Sequence, residues 1–373
     1  MAVSRINEAG LNVNQYGNRN ILINGAAQVY QRGSGAIVQS GSVYGVDKFR
    51  FSTANMDNLA GTFTQDADSP DGFGNSMKAT ITTAESVIAS DEYAYIAQLV
   101  EAQNVQNLAY GSSAAKQVTL SFYVKSSVTG TFAVGLYKPD NTAQIHNLTY
   151  TINSASTWEY KTLTFAANTT AGGVINDDNG IGFYVNWHLA SGADYKGGGS
   201  TSGWSAYANN KWADGQATDA VITTTNATFQ LTGCQLEVGD TATDFEHRTF
   251  ADELQKCERY YQRIVKHGDG SGGSNTILGG SAVMYSSSYL SVVVTYRTTM
   301  RSPPTLVSAN SVGCFKLYRN NSNDVFDDFT QAGARSPYAI EMYNTSDVSG
   351  TAGHGGFIET VNSNAEVHLD AEL

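Results

Sequence analysis

The residues best suited to recognition chemistry lie between Trp187 and Val221. Trp187, Tyr195, Trp204, Tyr207 and Trp212 stand there among Gly and Ser, and three of the chain's four tryptophans are in this stretch. Flat rings can stack on the apolar C–H faces of sugars, while nearby Asn and Asp read the hydroxyls. An aromatic lining with a few placed polar groups is the usual build of a small-ligand site. Gly197-Gly198-Gly199-Ser200, in the middle, resists burial as ordinary core. These five aromatic residues are therefore the candidates for glycan contact. The competing expectation is that Trp187 is core and that Trp204 and Trp212 pin a long loop to the body of the fold.

Other constellations are weaker. Asp177-Asp178 is a carboxylate pair, but glycoside hydrolysis needs two acids across a cleft, and adjacent acids before Asn179-Gly180 read as a turn. The same acids are the one opening for a structural calcium, which takes six or more oxygens, a set the sequence does not assemble. Gly268-Asp269-Gly270-Ser271-Gly272-Gly273 has the spacing of a dinucleotide fingerprint. It follows a helical pattern and opens a strand, the reverse of the order that phosphate binding requires. The sequence has no G-x-S-x-G, H-E-x-x-H or P-loop, and its six histidines are scattered. No catalytic residue, metal ligand or cofactor is expected. Cys234, Cys257 and Cys314 are odd in number and widely spaced, so buried free thiols are expected rather than disulfides. Asn147, Asn168 and Asn226 open formal glycosylation sequons, which mean little without a secretory signal. Met1–Tyr16 is polar and lacks an h-region, so no such signal is expected.

Composition narrows the class. Hydrophobic residues are 41% and charged residues 15%, the latter well below the roughly 25% of ordinary soluble domains. With 37 Gly and 21 Tyr, the chain suits short strands joined by many turns. A net charge of −12 repels phosphate backbones and anionic lipid, so nucleic acid and membrane are poor partners. No apolar run approaches the roughly 18 residues of a membrane span.

The elements that must position the aromatic stretch show a period of two. Val118, Leu120, Phe122 and Val124 alternate with polar residues. So do Phe132 to Leu136, Ile181 to Trp187 and Ala227 to Leu231, with turn signals at Pro139-Asp140-Asn141, Asp177–Gly180 and Asp214-Gly215. Ile21–Ile23 and Asp47–Phe51 are expected to open the fold as strands. Alternating strands at this spacing predict an all-β fold, an antiparallel β-sandwich. Thr249 with Asp252 forms a capping box. Phe250, Leu254, Cys257, Tyr261 and Ile264 then follow at 4-3-4-3 spacing, which predicts a linker helix over 249–266. Phe250, Leu254, Tyr261 and Ile264 are its expected domain or oligomer contact. A glycine-rich hinge follows at 267–274. Beyond it, six strand patterns between Ser281 and Leu369 predict a second, smaller β-sandwich over 267–373.

Two motifs bracket the first domain. Asn18-Arg19-Asn20-Ile21-Leu22-Ile23-Asn24-Gly25 stands at its start. Cys234-Gln235-Leu236-Glu237-Val238-Gly239-Asp240 and Ala242-Thr243-Asp244-Phe245-Glu246-His247-Arg248 stand at its end. The pairing resembles that of virion structural proteins of tailed bacteriophages, fibre and spike proteins of marine and cyanobacterial phages in particular. There it encloses a jelly roll similar to a carbohydrate-binding module. The resemblance covers residues 12 to 265 well and the C-terminal third more weakly. It implies an anchoring arm at 1–18 that contacts other virion proteins, a jelly roll at 19–248, a homotrimer, a location on the phage particle and no enzymatic activity. Three functions follow as expectations: a fibre, spike or tail component presenting the jelly roll to a host surface glycan; a capsid decoration protein; and a polysaccharide depolymerase. The aromatic loop favours the first, and the lack of a repetitive shaft favours the second.

Overall fold

The computed structural model describes residues 18–270, 275–308 and 311–373. The anchoring arm, apart from Asn18, and residues 271–274 of the glycine-rich stretch lie outside them. The chain divides into two compact units, one reaching Glu253 and the other running from Leu254 to Glu372.

The strands of the first unit are β1 Gly35–Ile37, β2 Gly41–Tyr44, β3 Phe49–Ala54, β4 Ala60–Asp66, β5 Ser76–Thr83, β6 Tyr93–Glu101, β7 Val118–Ser126, β8 Gly130–Lys138, β9 Gln144–Ile152, β10 Glu159–Phe165, β11 Ile181–Ser191, β12 Ser205–Ala206 and β13 Thr228–Val238. They form two antiparallel sheets, one ordered β1-β4-β5-β13-β7-β10 and the other β12-β9-β8-β11-β6-β3-β2. This is a jelly-roll sandwich. Alternation along each strand sends one set of side chains into a shared core. Phe122 of β7 meets Trp187 of β11 edge-on across the layer, with ring centroids 5.8 Å apart. Phe49 of β3 lies 6.2 Å from the same indole. Several strands escaped the sequence reading, among them β6, whose run Tyr93–Glu101 is buried on both faces and shows little alternation.

The two bracketing motifs interlock. The Asn20 amide donates to the Cys234 carbonyl (3.0 Å), and its oxygen accepts from the backbone N–H groups of Leu22 and Leu236 (both 3.0 Å). Ile21 N–H donates to the Leu236 carbonyl (2.8 Å), and Cys234 N–H to the Gly25 carbonyl (3.0 Å). A Cβ on Gly25 would lie 2.0 Å from the Cys234 carbonyl oxygen, so only glycine lets the two segments approach this closely. Glu246 accepts from the N–H groups of Arg19 (3.2 Å) and Asn20 (2.9 Å) and pairs with Arg248 (2.9 Å). Burial pushes the Glu246 carboxyl up. The Asn20 amide, the Arg248 charge and further backbone amides outweigh it and hold the group below its usual value. Ile21–Ile23 is therefore not the expected strand. Its donors are taken by side chains as well as backbone, Ile23 N–H reaching Gln98 Oε1 at 2.7 Å.

The second unit has β14 Tyr261–Lys266, β15 Ile277–Ser286, β16 Tyr289–Thr295, β17 Thr305–Ser308, β18 Phe315–Arg319, β19 Ser322–Phe326, β20 Thr330–Arg335, β21 Ala339–Asn344, β22 Gly355–Thr360 and β23 Glu366–Asp370. They form a sheet β14-β23-β17 and a sheet β19-β18-β22-β15-β16-β21-β20 around one core that includes Val265, Met284, Phe315 and Val367.

The helix expectation needs correction. Helix α1 spans Phe250–Glu258 only. Its cap is as read, with Asp252 N–H donating to Thr249 Oγ1 (3.2 Å) and the Thr249 hydroxyl to Asp252 (2.7 Å). Beyond Glu258, aromatic and β-branched residues favour strand, and β14 pairs with β23, Tyr261 opposite Asp370. Tyr261 and Ile264 thus lie on a strand. Phe250 is 58% exposed and Leu254 half-buried. The four residues do not share a helical face, so they make no common contact stripe.

Candidate functional site

The 192–221 segment folds over the outer face of the seven-stranded sheet, and Asp214 organises it. Its carboxylate accepts from Gly197 N–H (2.8 Å) and Ser200 N–H (2.6 Å). Asn147 of β9 holds the segment from below, donating to the Ser200 hydroxyl (2.7 Å) and the Lys211 carbonyl (2.6 Å). β12 then adds to the sheet edge beside β9. The three glycines do not keep the loop free. They supply left-handed turns at Gly197 and Gly199, which let the chain wrap around one carboxylate.

Trp212 is the hub. It is 93% buried, at 7% exposure, and its indole meets Tyr137 edge-on at 5.3 Å and Tyr95 at 5.4 Å. Tyr207 lies 6.1 Å away, and Tyr195 reaches the cluster through Tyr93 at 4.9 Å. Tyr93, Tyr137, Tyr184, Tyr195 and Tyr207 are half-buried around it. The outer face therefore carries a contiguous tyrosine layer with partly wet rings. Burial, with the neighbouring tyrosines, pushes the hydroxyls of Tyr93 and Tyr207 up to about 12, so both remain neutral donors at ordinary pH. Beside this layer, the Arg50 guanidinium sits over the Tyr184 ring at 5.3 Å and that of Arg32 over Tyr44 at 4.3 Å.

The five sequence candidates do not act together. Trp187 has no exposed surface and points between the sheets, so it is removed from the glycan-contact set: an inward position on a central strand is core. Trp204 is half-buried, with its N–H donated to the Ala166 carbonyl (2.7 Å) and its ring against Tyr110 (5.6 Å). It pins the loop, as Trp212 does. Tyr195 and Tyr207 are half-buried. Sequence reading missed Tyr93, Tyr137 and Tyr184; the outward alternation of β8 and β11 was a signal for Tyr137 and Tyr184, whereas Tyr93 lies on β6, which shows little alternation.

Asp177 and Asp178 are exposed in one turn, where Asp178 accepts from Gly180 N–H (2.8 Å); they do not face each other across a cleft. The fold does gather Asp57, Glu85 and Glu92, whose carboxylate oxygens lie within 4.8 Å of one another. Backbone amides already occupy two of the three: Asp57 and Asn58 N–H donate to Glu85 (both 2.9 Å) and Ala89 N–H to Glu92 (2.8 Å). Cys234, Cys257 and Cys314 are buried and outside any disulfide, as expected. Of the sequon asparagines, Asn147 and Asn168 are buried and serve the fold.

No protein-family model matches the sequence, and no curated protein does. Solved structures similar to the chain include the enzymatically active domain of tailspike protein 4 of bacteriophage CBA120, at 12% identity and TM-score 0.31, covering 59% of this chain and 22% of that one. Another is the family 11 carbohydrate-binding module of Clostridium thermocellum, solved with a β-1,3-1,4-mixed-linked tetrasaccharide, at 12% identity and TM-score 0.27, covering 58% and 98%. A third is the CBM22-1 xylan-binding domain of Paenibacillus barcinonensis Xyn10C, at 8% identity and TM-score 0.28, covering 60% and 96%. With TM-scores near 0.3, none of them fixes a ligand or an activity for this chain.

Proposed function

We propose that the chain is a non-catalytic, glycan-binding structural protein of a bacteriophage particle, a fibre, spike or tail component that presents its jelly roll to the host surface. The observation that carries the binding half is the tyrosine layer around Trp212: half-exposed rings held rigid by an indole, on one sheet face. Rigid aromatic area binds at low entropic cost because few rotamers are frozen. The virion half rests on the bracketing motifs and their resemblance to phage fibre and spike proteins. The anchoring arm at 1–18 contacts other virion proteins in this reading.

Tyr195→Ala with Tyr207→Ala, in recombinant protein, tests the binding half. Loss of adsorption to host cells with an unchanged melting temperature supports it. Full adsorption by this folded double variant refutes it and favours capsid decoration; copy number per particle then decides, a few for a fibre and hundreds for a shell coat.

Self-association into a homotrimer belongs to the same reading. Tyr285 (77% exposed), Val293 (56%) and Phe357 (44%) place apolar side chains on the surface of the larger sheet of the second unit, and such surface favours burial against further copies. Light scattering should return three times the monomer mass; a monomer at high concentration refutes this.

A further inference from the structure

The opposite face of the sandwich carries a groove of about 720 Å³, within the roughly 300–1,000 Å³ of small-ligand sites. Its floor is the outward side of β7 and β10, where Tyr123 and Tyr160 are direct cross-strand partners with rings 4.9 Å apart. The β4–β5 loop lays Phe73 beside them, 5.5 Å from Tyr123. The segment after β13 adds Phe245, edge-on to Phe73 at 5.1 Å, and His247 at 4.9 Å from Phe245. The backbone is shaped for this. β13 breaks register between Thr232 and Gln235, and Gly233 stands in the break at φ 60°. A Cβ there would come within 2.7 Å of the Phe73 ring, so glycine allows the ring to lie against the sheet.

The chemistry of the lining restricts the ligand. Asp71, Asp240 and Asp244 are exposed at its edge, Thr162 and Thr241 add hydroxyls, and no lysine or arginine is among the described residues that line it. Such a groove repels carboxylates, sulfates and phosphates. The rings touch one another at 4.9–5.5 Å, the spacing of packed aromatic pairs. They make a continuous floor and leave no box for an ammonium group. A floor of rings edged by carboxylate and hydroxyl acceptors fits the apolar face and hydroxyl rim of a sugar.

We propose that this groove is a second saccharide site, on the sheet opposite the tyrosine layer, selective for neutral oligosaccharides over uronate- or sialate-bearing ones. It extends the glycan-binding reading above but uses different residues, so each can fail alone.

The test applies the full chain to an array of neutral, uronate and sialylated glycans, followed by titration calorimetry on the best neutral ligand. Five proteins are compared: wild type, Tyr160→Ala, Tyr160→Phe, Thr162→Arg and Tyr195→Ala/Tyr207→Ala. Tyr160 is 48% exposed, so its removal should leave the melting temperature unchanged. Thr162→Arg, which obstructs the groove from another exposed position, serves as the independent variant. The expected result is neutral-glycan binding weakened about tenfold or more by Tyr160→Ala and by Thr162→Arg. Tyr160→Phe should remain within about threefold, and uronate binding should be absent. Binding lost only in Tyr195→Ala/Tyr207→Ala overturns this proposal and leaves the first site standing. Uronate binding equal to neutral binding, or no neutral glycan sensitive to either groove variant, also overturns it.

Discussion

Asn20→Ala probes what the bracketing motifs do. Asn20 is 5% exposed and its side chain makes three hydrogen bonds, two of which, to Cys234 and Leu236, join the two motifs. Its removal strands the N–H groups of Leu22 and Leu236 and the carbonyl of Cys234 in an interior where water does not replace the lost partner. Each stranded buried group costs about 1–3 kcal/mol. Partial relaxation leaves an expected loss of about 3 kcal/mol, or about 6–12 °C in melting temperature for a unit of this size. Tryptophan fluorescence isolates the effect, because Trp158, Trp187, Trp204 and Trp212 all lie in the first unit. Thermal and urea melts of the full chain, followed at the indoles, give the shift and its m-value. A melting temperature within about 2 °C of wild type refutes the clasp; the motifs would then be peripheral to stability.

Gly25→Ala should be as damaging, because its methyl group would meet the Cys234 carbonyl at 2.0 Å; an unchanged urea midpoint contradicts this. Trp212→Ala should cost about 3–5 kcal/mol, as for other buried tryptophans, whereas Tyr207→Ala should leave the melt nearly unchanged; equal melts would show that the indole is no hub. Acid should weaken the first unit in a defined order. Burial lowers His188 to about 3 and His146 to about 4, from 6.5, so the unfolded chain takes up protons first and stability declines as pH falls below 6.5. Glu159 is held at about 2 against burial by Lys161 and the amides of Ser154 and Asn153, and Glu246 is also lowered. Their contribution is full above 4.5 and is lost as pH falls from there towards 2. A urea midpoint constant from pH 7 to 4 contradicts the histidine part. A protease site placed after Gly270 should yield two pieces on a denaturing gel but one peak in native gel filtration, since β14 stays paired with β23; two native peaks would count against that pairing.

The sequence alone was enough for the class of fold. Alternation at Val118–Val124 and Ile181–Trp187 reflects a pleat whose two faces meet different surroundings, and that is a local property of the chain. The cap at Thr249 was legible for the same reason, because its partner Asp252 is three residues away. What lay beyond reach depended on distant partners. β6 is covered on both faces and so lost its alternation. The helix predicted to 266 ends at Glu258 because β23, more than a hundred residues later, claims Tyr261–Lys266 as a strand. The aromatic loop could be found, but not the division of labour within it. Tertiary packing made Trp187 core, Trp212 a hub and Trp204 a pin, and left the tyrosines to meet solvent. The second groove joins β7, β10, a bulge in β13 and two loops. No window of sequence contains those residues together; only the sandwich, by folding the clasp back across its own sheet, makes them neighbours.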